Sequence, residues 1–244
     1  MAWVQSSTVA QVNAASSISV SFGSTPGSGS GRLCIVTVDE WNGGTPTGPT
    51  GYTDNQSPPN TYTEHIEGTD YYKQRAGLAS APIATASGTF TVTVNLTDTA
   101  SWGGLSIHEY SGMNTSSSRC STSNSNYAVM ALGGGTYTGP TISPATNATN
   151  VAFLSHDNIE RTLTPDAAWT QRAEQEASSA GEPQNVMEKI GAGSQTPVWT
   201  YGSATSTANA IAVVGAFTPL STERSPWPRK TKLRPGIFAP GIAQ

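Results

Sequence analysis

The sequence predicts an all-β protein, an antiparallel β-sandwich of jelly-roll type followed by an extended C-terminal arm. Charged residues make up only 11% of the 244 positions, less than half the roughly 25% of an ordinary soluble domain. The chain holds 30 Ser and 33 Thr together with 25 Gly and 16 Pro, so residues that favour helices are scarce. Short apolar segments recur between glycine, proline and serine turns, which is typical of a sandwich or barrel of about ten to twelve strands.

Five segments in the first half of the chain predict strands. Residues 18–22 alternate apolar and polar side chains like a half-buried strand, and residues 33–38 form the apolar run of a central strand. Residues 70–75 surround a tyrosine pair, and residues 89–94 have the cleanest alternation in the chain. Residues 104–110 place Leu, Ile and Glu on one face and Ser, His and Tyr on the other.

Five further strands are predicted in the second half, at residues 151–154, 169–174, 185–190, 198–201 and 210–217. The last of these strands is apolar on both faces. Such a strand needs cover on its second face, and we expect a loop or a neighbouring subunit to supply it.

The segments between these strands are rich in turn-forming residues. Residues 41–60, dense in Gly, Pro and Thr, and residues 111–126, rich in Ser and Asn, predict long loops, the second of them exposed. The only helical candidates are single turns at residues 164–168 and 174–180.

The inward-facing positions of the predicted strands define the expected hydrophobic core. No linker of altered composition divides residues 1–220, so we expect one sandwich domain over residues 1–222 and a separate arm over residues 223–244. The expected core residues are Ile18, Val20, Phe22, Leu33, Ile35, Val36, Val38, Phe90, Val92, Val94, Leu105, Ile107, Val151, Phe153, Trp169, Val186, Trp199, Ile211, Val213, Val214 and Phe217.

Charge is distributed unevenly along the chain. Residues 1–223 hold all 16 acidic residues and seven of the 12 basic ones, whereas the last twenty-one residues hold five basic residues and no acidic one. This last segment also carries four prolines and several large apolar side chains, which suits a groove on a partner. A solvated, frayed tail is the alternative. The residues expected to make the assembly contact are Trp227, Arg229, Lys230, Lys232, Arg234, Ile237 and Phe238.

The sequence contains no pattern that predicts catalysis, a metal site or a cofactor. Residues 104–108 lack the second glycine of a G-x-S-x-G nucleophile turn, and His65, His108 and His156 lack metal-ligand spacing. Asp39 and Glu40, at a strand end, are the most suggestive place for glycosidase carboxylates. A strand end that meets a solvated loop is the simpler interpretation, so we predict that the protein is not an enzyme.

Aromatic residues cluster in and after the first long loop. Trp41, Tyr52, Tyr62, Tyr71 and Tyr72 lie near Asn and Asp residues. They predict either a glycan-binding surface or aromatic residues of the core and turns.

The two cysteines and the N-terminal residues indicate the cellular compartment in which the protein is made. Cys34 lies within an apolar run, and we favour a buried free thiol over a disulfide with Cys120. The first residues show neither a cationic segment nor a continuous apolar one, so no secretory signal is visible and synthesis in a cytoplasm is expected.

Four segments resemble a β-sandwich module of tailed-bacteriophage virion proteins and related bacterial surface proteins. The matching segments are GRLCIVTV (31–38), LSIHEYSG (105–112), AWTQR (168–172) and ANAIAVV (208–214). The arm lies outside this pattern and is similar in kind to the arms by which capsid and tail subunits bind one another.

The resemblance implies a structural or adhesive role at the virion surface, with no catalytic residues. We expect a capsid decoration or head-stabilising protein, made in the host cytoplasm without a signal peptide. Its expected partners are the major capsid protein or tail subunits and copies of itself, with no membrane partner. Nucleic acid is disfavoured because the body of the chain is acidic and five cations are few. A glycan-binding tail or fibre module is the alternative, and a polysaccharide-acting enzyme comes third.

Overall fold

The computed structural model describes residues 1–41, 48–69, 74–157, 162–175 and 183–221, with the backbone alone at residues 9–14 and 97–101. Within these ranges the protein is all-β, and its sheets are antiparallel and form a β-sandwich, as predicted. None of the described residues belongs to a helix that is long and apolar enough to cross a membrane.

The strands vary in length from three to twenty-one residues. They are β1 (Ala2–Ser21), β2 (Arg32–Trp41), β3 (Pro49–Asp54), β4 (Thr63–Thr69), β5 (Gln74–Pro82), β6 (Thr91–Ser111), β7 (Cys120–Met130), β8 (Gly135–Thr138), β9 (Ala148–His156), β10 (Leu163–Pro165), β11 (Thr170–Gln175), β12 (Gln184–Gly191), β13 (Val198–Tyr201) and β14 (Ala208–Phe217).

These strands form three sheets. The six-stranded sheet has the order β1-β6-β2-β5-β4, with β3 also paired to β6, and the five-stranded sheet has the order β11-β12-β9-β14-β7. A small third sheet has the order β10-β13-β8.

The central core lies between the two large sheets. Leu33 and Ile35 of β2 pack with Phe153 of β9 and with Ile211 and Val213 of β14. All five side chains are fully buried. Alternate residues of each strand point to this core, which is what period-two patterning predicts.

A second core forms on the other face of the six-stranded sheet. The long antiparallel pair of β1 and β6 has irregular register between Val12 and Ser17. Beyond that irregularity, Ile18 of β1 and Val94 of β6 pack with Val36 and Val38 of β2. Residues 89–94 and 104–110, predicted as two strands, therefore belong largely to one long strand that contributes to two layers.

The third sheet covers the outer face of β14. Ala212 and Val214 of β14 pack with Trp199 of β13 and Tyr137 of β8, and the two aromatic rings meet edge to face. The second face of β14 is therefore covered by strands of its own chain. The expectation of a loop or a neighbouring subunit at this place was wrong.

All 21 predicted core residues are buried, and none is more than 7% exposed. Two predicted loops were wrong in part. Residues 41–60 contain β3, an edge strand that begins at a proline, and residues 111–126 run into β7. The Ser- and Asn-rich β7 is stable as a strand because its side chains also bond across to a neighbouring segment: Asn126 Nδ2 donates to the Thr138 carbonyl at 2.9 Å.

The predicted helical turns are not helices where the structure describes them. Residues 163–165 form β10, and Asp166 then closes a tight turn in which its carboxylate accepts from the Ala168 amide at 2.8 Å. Asp at the first position of a turn bonds the backbone two residues on, which favours this structure over a helix. Residues 174 and 175 belong to β11, and 176–180 lie outside the described residues.

Candidate functional site

Two carboxylates at the end of β2 enter different layers of the protein. Asp39 follows Leu33 and Ile35 on the face toward the five-stranded sheet, whereas Glu40 follows Val36 and Val38 on the opposite face. Asp39 is 0% exposed and Glu40 is 3% exposed. The prediction that this strand end meets a solvated loop was therefore wrong for these side chains.

Asp39 is the centre of a buried polar network between the large sheets. Its carboxylate accepts from Ser155 Oγ at 2.7 Å and from the side-chain amide of Gln184. Ser155 Oγ in turn accepts from Gln74 Nε2 at 3.0 Å, and Gln184 accepts from Ser106 Oγ at 3.2 Å. The bonds join strands of both large sheets, so the network holds the two layers together while it satisfies a buried charge.

Gly104 leaves the space that this network needs. A side-chain carbon at this position would come within 1.8 Å of Gln184 Nε2 and 3.1 Å of Asp39 Oδ1. A glycine here allows the amide and the carboxylate to meet over the backbone of β6.

Glu40 belongs to a cluster of three carboxylates, one arginine and one tyrosine on the opposite face. Glu40 lies directly across from Arg75 on β5, and Arg75 Nη1 is paired with Glu67 Oε1 at 2.7 Å. The Tyr52 hydroxyl lies beside the Glu64 carboxylate and 3.0 Å from the position of a side-chain carbon at Gly77. One cation therefore serves three carboxylates, of which Glu40 is buried, Glu67 half-buried and Glu64 exposed.

Burial and mutual repulsion change how these groups titrate. Burial raises the pKa of Glu40 to about 7, and the nearby Glu67 and Asp39 add to the rise while Arg75 opposes it. Burial also raises the pKa values of Glu64 and Glu67. Glu40 can thus exchange a proton near neutral pH, as a general acid or base does. It is too deeply buried to contact a substrate, and Asp39 faces another layer, so the two do not form a glycosidase pair.

The aromatic residues predicted to bind a glycan lie in different places. Tyr52 and Tyr62 stack with ring centroids 6.3 Å apart and pack against the second core, and the Tyr62 hydroxyl donates to Asp54 Oδ2 at 3.1 Å. Trp41 is half-buried at the end of β2, opposite Trp102 of β6. Tyr71 and Tyr72 lie outside the described residues.

The three histidines make separate contacts and do not form a group. His108 Nδ1 bonds Ser6 Oγ at 2.7 Å, and burial lowers the pKa of His108 to about 3. His156 is buried in β9. Burial, followed by the charge of Arg119, lowers the pKa of His65 to about 4. In the part of the chain that the structure describes, no three His, Cys, Asp or Glu side chains are grouped so as to hold a metal ion.

Both cysteines are free thiols, as predicted. Cys34 is buried in the second core and Cys120 is half-buried. Burial raises the pKa of Cys34, and it raises the pKa of Cys120 to about 11, so neither is a reactive thiolate at neutral pH.

A groove that no sequence pattern predicts lies at the opposite end of β4 and β5. The groove has a volume of about 360 Å³ and is lined by the turn before β4, the segment after β5 and the segment before β7. Arg119 lies in its wall and is 4% exposed. An isolated arginine in a serine-rich segment has no motif, so only the fold could bring it together with the other walls.

The seven arm residues predicted to make an assembly contact, Trp227, Arg229, Lys230, Lys232, Arg234, Ile237 and Phe238, lie outside the described residues. The structure therefore leaves this part of the site as a prediction from sequence.

The chain was also compared with known proteins. No protein-family model, no curated protein and no solved structure matches it.

Proposed function

We propose that the protein is a structural component of a virus-like particle, a decoration or head-stabilising protein of the kind found on tailed bacteriophages. The sandwich faces outward, and residues 223–244 attach it to the shell or to a neighbouring copy. The observation that carries this proposal is that β14, the last strand before the arm, is covered on both faces by other strands of the described chain.

The way in which the chain leaves the sandwich supports the proposal. After β14, the Thr218 amide donates to the Arg119 carbonyl at 2.8 Å, and the Leu220 amide donates to the Gly112 carbonyl at 2.9 Å. Leu220 is 40% exposed, so the backbone is held until it reaches the surface. The arm thus starts from a fixed point outside the core, where it can reach another chain.

Side-chain contacts link the facing edges of the two large sheets, which suits a protein that functions outside a cell. Ser123 of β7 bonds the carbonyl of His65 in β4 at 2.9 Å, which joins one pair of sheet edges. At the other pair of edges, the Arg172 guanidinium of β11 lies 4.8 Å from the ring centre of Trp3 in β1. Covered edges resist unwanted strand pairing with other chains.

The chemistry of the arm supports a protein partner with an acidic, grooved surface. Five cations provide attraction over a Debye length of about 8 Å at physiological salt, and Trp and Phe side chains are common anchors in interfaces. Prolines reduce the conformational entropy that the arm loses on binding.

A truncated chain that ends at Thr222 tests this proposal. We expect its free energy of unfolding to stay within about 0.5 kcal/mol of that of the whole chain, since residues before the arm form the described cores. We also expect it to be missing from particles assembled with it in place of the whole chain. Protein content is measured by quantitative mass spectrometry of purified particles.

Two full-length variants separate the contributions to attachment. One replaces Arg229, Lys230, Lys232 and Arg234 by Gln, and the other replaces Trp227 and Phe238 by Ala. Each should lower occupancy while the sandwich remains folded, and a Lys189→Gln change on β12 serves as the control for charge alone. Full occupancy of the truncated chain would contradict the proposed role of the arm.

A further inference from the structure

Arg119 differs from the other arginines of the described residues. Arg32, Arg75 and Arg172 each form a salt bridge with a glutamate. Arg119 is more deeply buried than these three, yet among the described residues it contacts only neutral oxygen atoms. A buried cation is costly unless it is paired, so the missing carboxylate is informative.

The neutral contacts hold the guanidinium rigidly and leave one donor. Nε donates to Ser80 Oγ at 2.7 Å, and Nη1 donates to the Ser116 carbonyl at 3.0 Å. Nη2 donates to Thr63 Oγ1 at 2.7 Å and to the Ser80 carbonyl at 2.8 Å. A guanidinium has five N–H groups, so one N–H of Nη1 remains for a ligand.

Among the described residues, the surroundings of Arg119 contain no compensating negative charge. Ser80 Oγ, which accepts from Arg119, bonds His65 Nε2 at 2.7 Å. Burial, followed by the charge of Arg119, lowers the pKa of His65 to about 4, so the ring adds no charge of its own near neutral pH. The positive charge of Arg119 therefore remains available to a ligand in the groove.

The groove beside Arg119 has the size and lining of a small-ligand site. Its volume of about 360 Å³ is within the usual range for such sites, roughly 300–1,000 Å³. Its lining contains both proline rings and hydroxyl or amide groups: the lining residues include Pro58, Pro59, Thr61, Thr63, Pro82 and Thr85. Flat apolar surfaces between hydroxyl groups suit a sugar ring, which has the same two kinds of surface.

We infer that this groove binds an acidic sugar, with the carboxylate of the sugar on Arg119. One carboxylate oxygen accepts from the remaining Nη1 hydrogen, and the other accepts from the Thr63 hydroxyl, whose own oxygen accepts from Nη2. The ring lies against the prolines. The inference uses no residue of the arm, so it stands whether or not the arm attaches the protein to a particle.

Calorimetric titration of the full chain tests the inference. The probes are sodium glucuronate and its neutral analogue glucuronamide, at equal ionic strength, with sodium acetate as a carboxylate that has no sugar ring. We expect saturable binding of glucuronate, at least about tenfold tighter than that of glucuronamide because a charge-assisted hydrogen bond is lost. Acetate should bind much more weakly than glucuronate.

A spectroscopic readout follows from the position of His65. A bound carboxylate offsets the charge of Arg119, so the pKa of His65, followed by NMR, should rise from about 4 when glucuronate is added. Glucuronamide should leave it unchanged. Binding elsewhere on the protein would not move this pKa.

Two variants test the site from different sides. Arg119→Gln removes the cation and should reduce glucuronate affinity to that of glucuronamide. Because this change also removes contacts to β4 and β5, Ala84→Trp provides a second test: Ala84 is exposed at the groove, and a large side chain there should block binding in a folded protein. Lys189→Gln, a cation outside the groove, should leave binding unchanged.

Three results would overturn the inference. They are the absence of saturable glucuronate binding by the wild type, equal affinity for glucuronate and glucuronamide or acetate, and full binding by the folded Ala84→Trp variant.

Discussion

Glu40→Gln should stabilise the protein by about 3 kcal/mol at pH 8 and by almost nothing at pH 4. The pKa of Glu40 is about 7 in the folded protein against 4.5 for a solvated glutamate, and each pKa unit corresponds to about 1.4 kcal/mol. Between these values the folded chain binds more protons than the unfolded chain, so stability falls as the pH rises through this range. A glutamine keeps an acceptor at this position and has no charge to bury.

The measurement is the difference in free energy of unfolding between the variant and the wild type, from urea titrations at several pH values. The difference isolates Glu40 from other titrating groups. His65 and His108 have lowered pKa values, so they reduce the free energy of unfolding as the pH falls, whereas Glu40 reduces it as the pH rises. Glu174→Gln, on an exposed position of β11, is the matched control and should give a flat difference. If the free-energy difference for Glu40→Gln were also independent of pH, the claim that burial raises the pKa of Glu40 would be contradicted.

Trp199→Ala should cost about 3–5 kcal/mol, the usual range for a fully buried aromatic residue. The side chain is 0% exposed, packs against the outer face of β14 and donates from Nε1 to Asn185 Oδ1 at 2.9 Å. Trp199→Phe keeps most of the ring contacts and loses this bond, so we expect a smaller cost of about 1–3 kcal/mol.

Urea unfolding of the two variants tests the role of the third sheet. Leu132→Ala is the control, because Leu132 is 49% exposed and its loss should change stability by no more than about 0.5 kcal/mol. A cost below about 1 kcal/mol for Trp199→Ala would contradict the finding that β10, β13 and β8 cover β14.

The sequence was most informative where one face of a strand is apolar. Val92 and Val94 alternate with threonines, and residues 33–38 form an apolar run, so both strands and their core residues could be predicted. β7 was missed because its serines and asparagines are stabilised by contacts from outside the strand, such as the bond from Asn126 to Thr138. Such contacts leave no periodic pattern.

In the candidate sites too, some features could be predicted from the sequence and others depend on the fold. Asp39 and Glu40 could be selected as unusual from the sequence, but their burial in two different layers depends on the sheets that pack above and below β2. Arg119 could not be selected, because the sequence does not reveal that it lies without a carboxylate beside a groove. Tyr52 and Tyr62 were two of five aromatic residues selected from the sequence, and only the fold shows that these two stack within the protein.

The central claim is that a self-contained sandwich is fastened to a larger assembly by its C-terminal arm. The most direct measurement is a cryo-electron microscopy map of assembled particles that contain the whole chain. We expect the sandwich on the outer surface and density for residues 224–244 along another chain, with Trp227 and Phe238 in pockets of that chain. A map in which this segment packs only on its own sandwich, or in which the particle carries no copy of the protein, would contradict the claim.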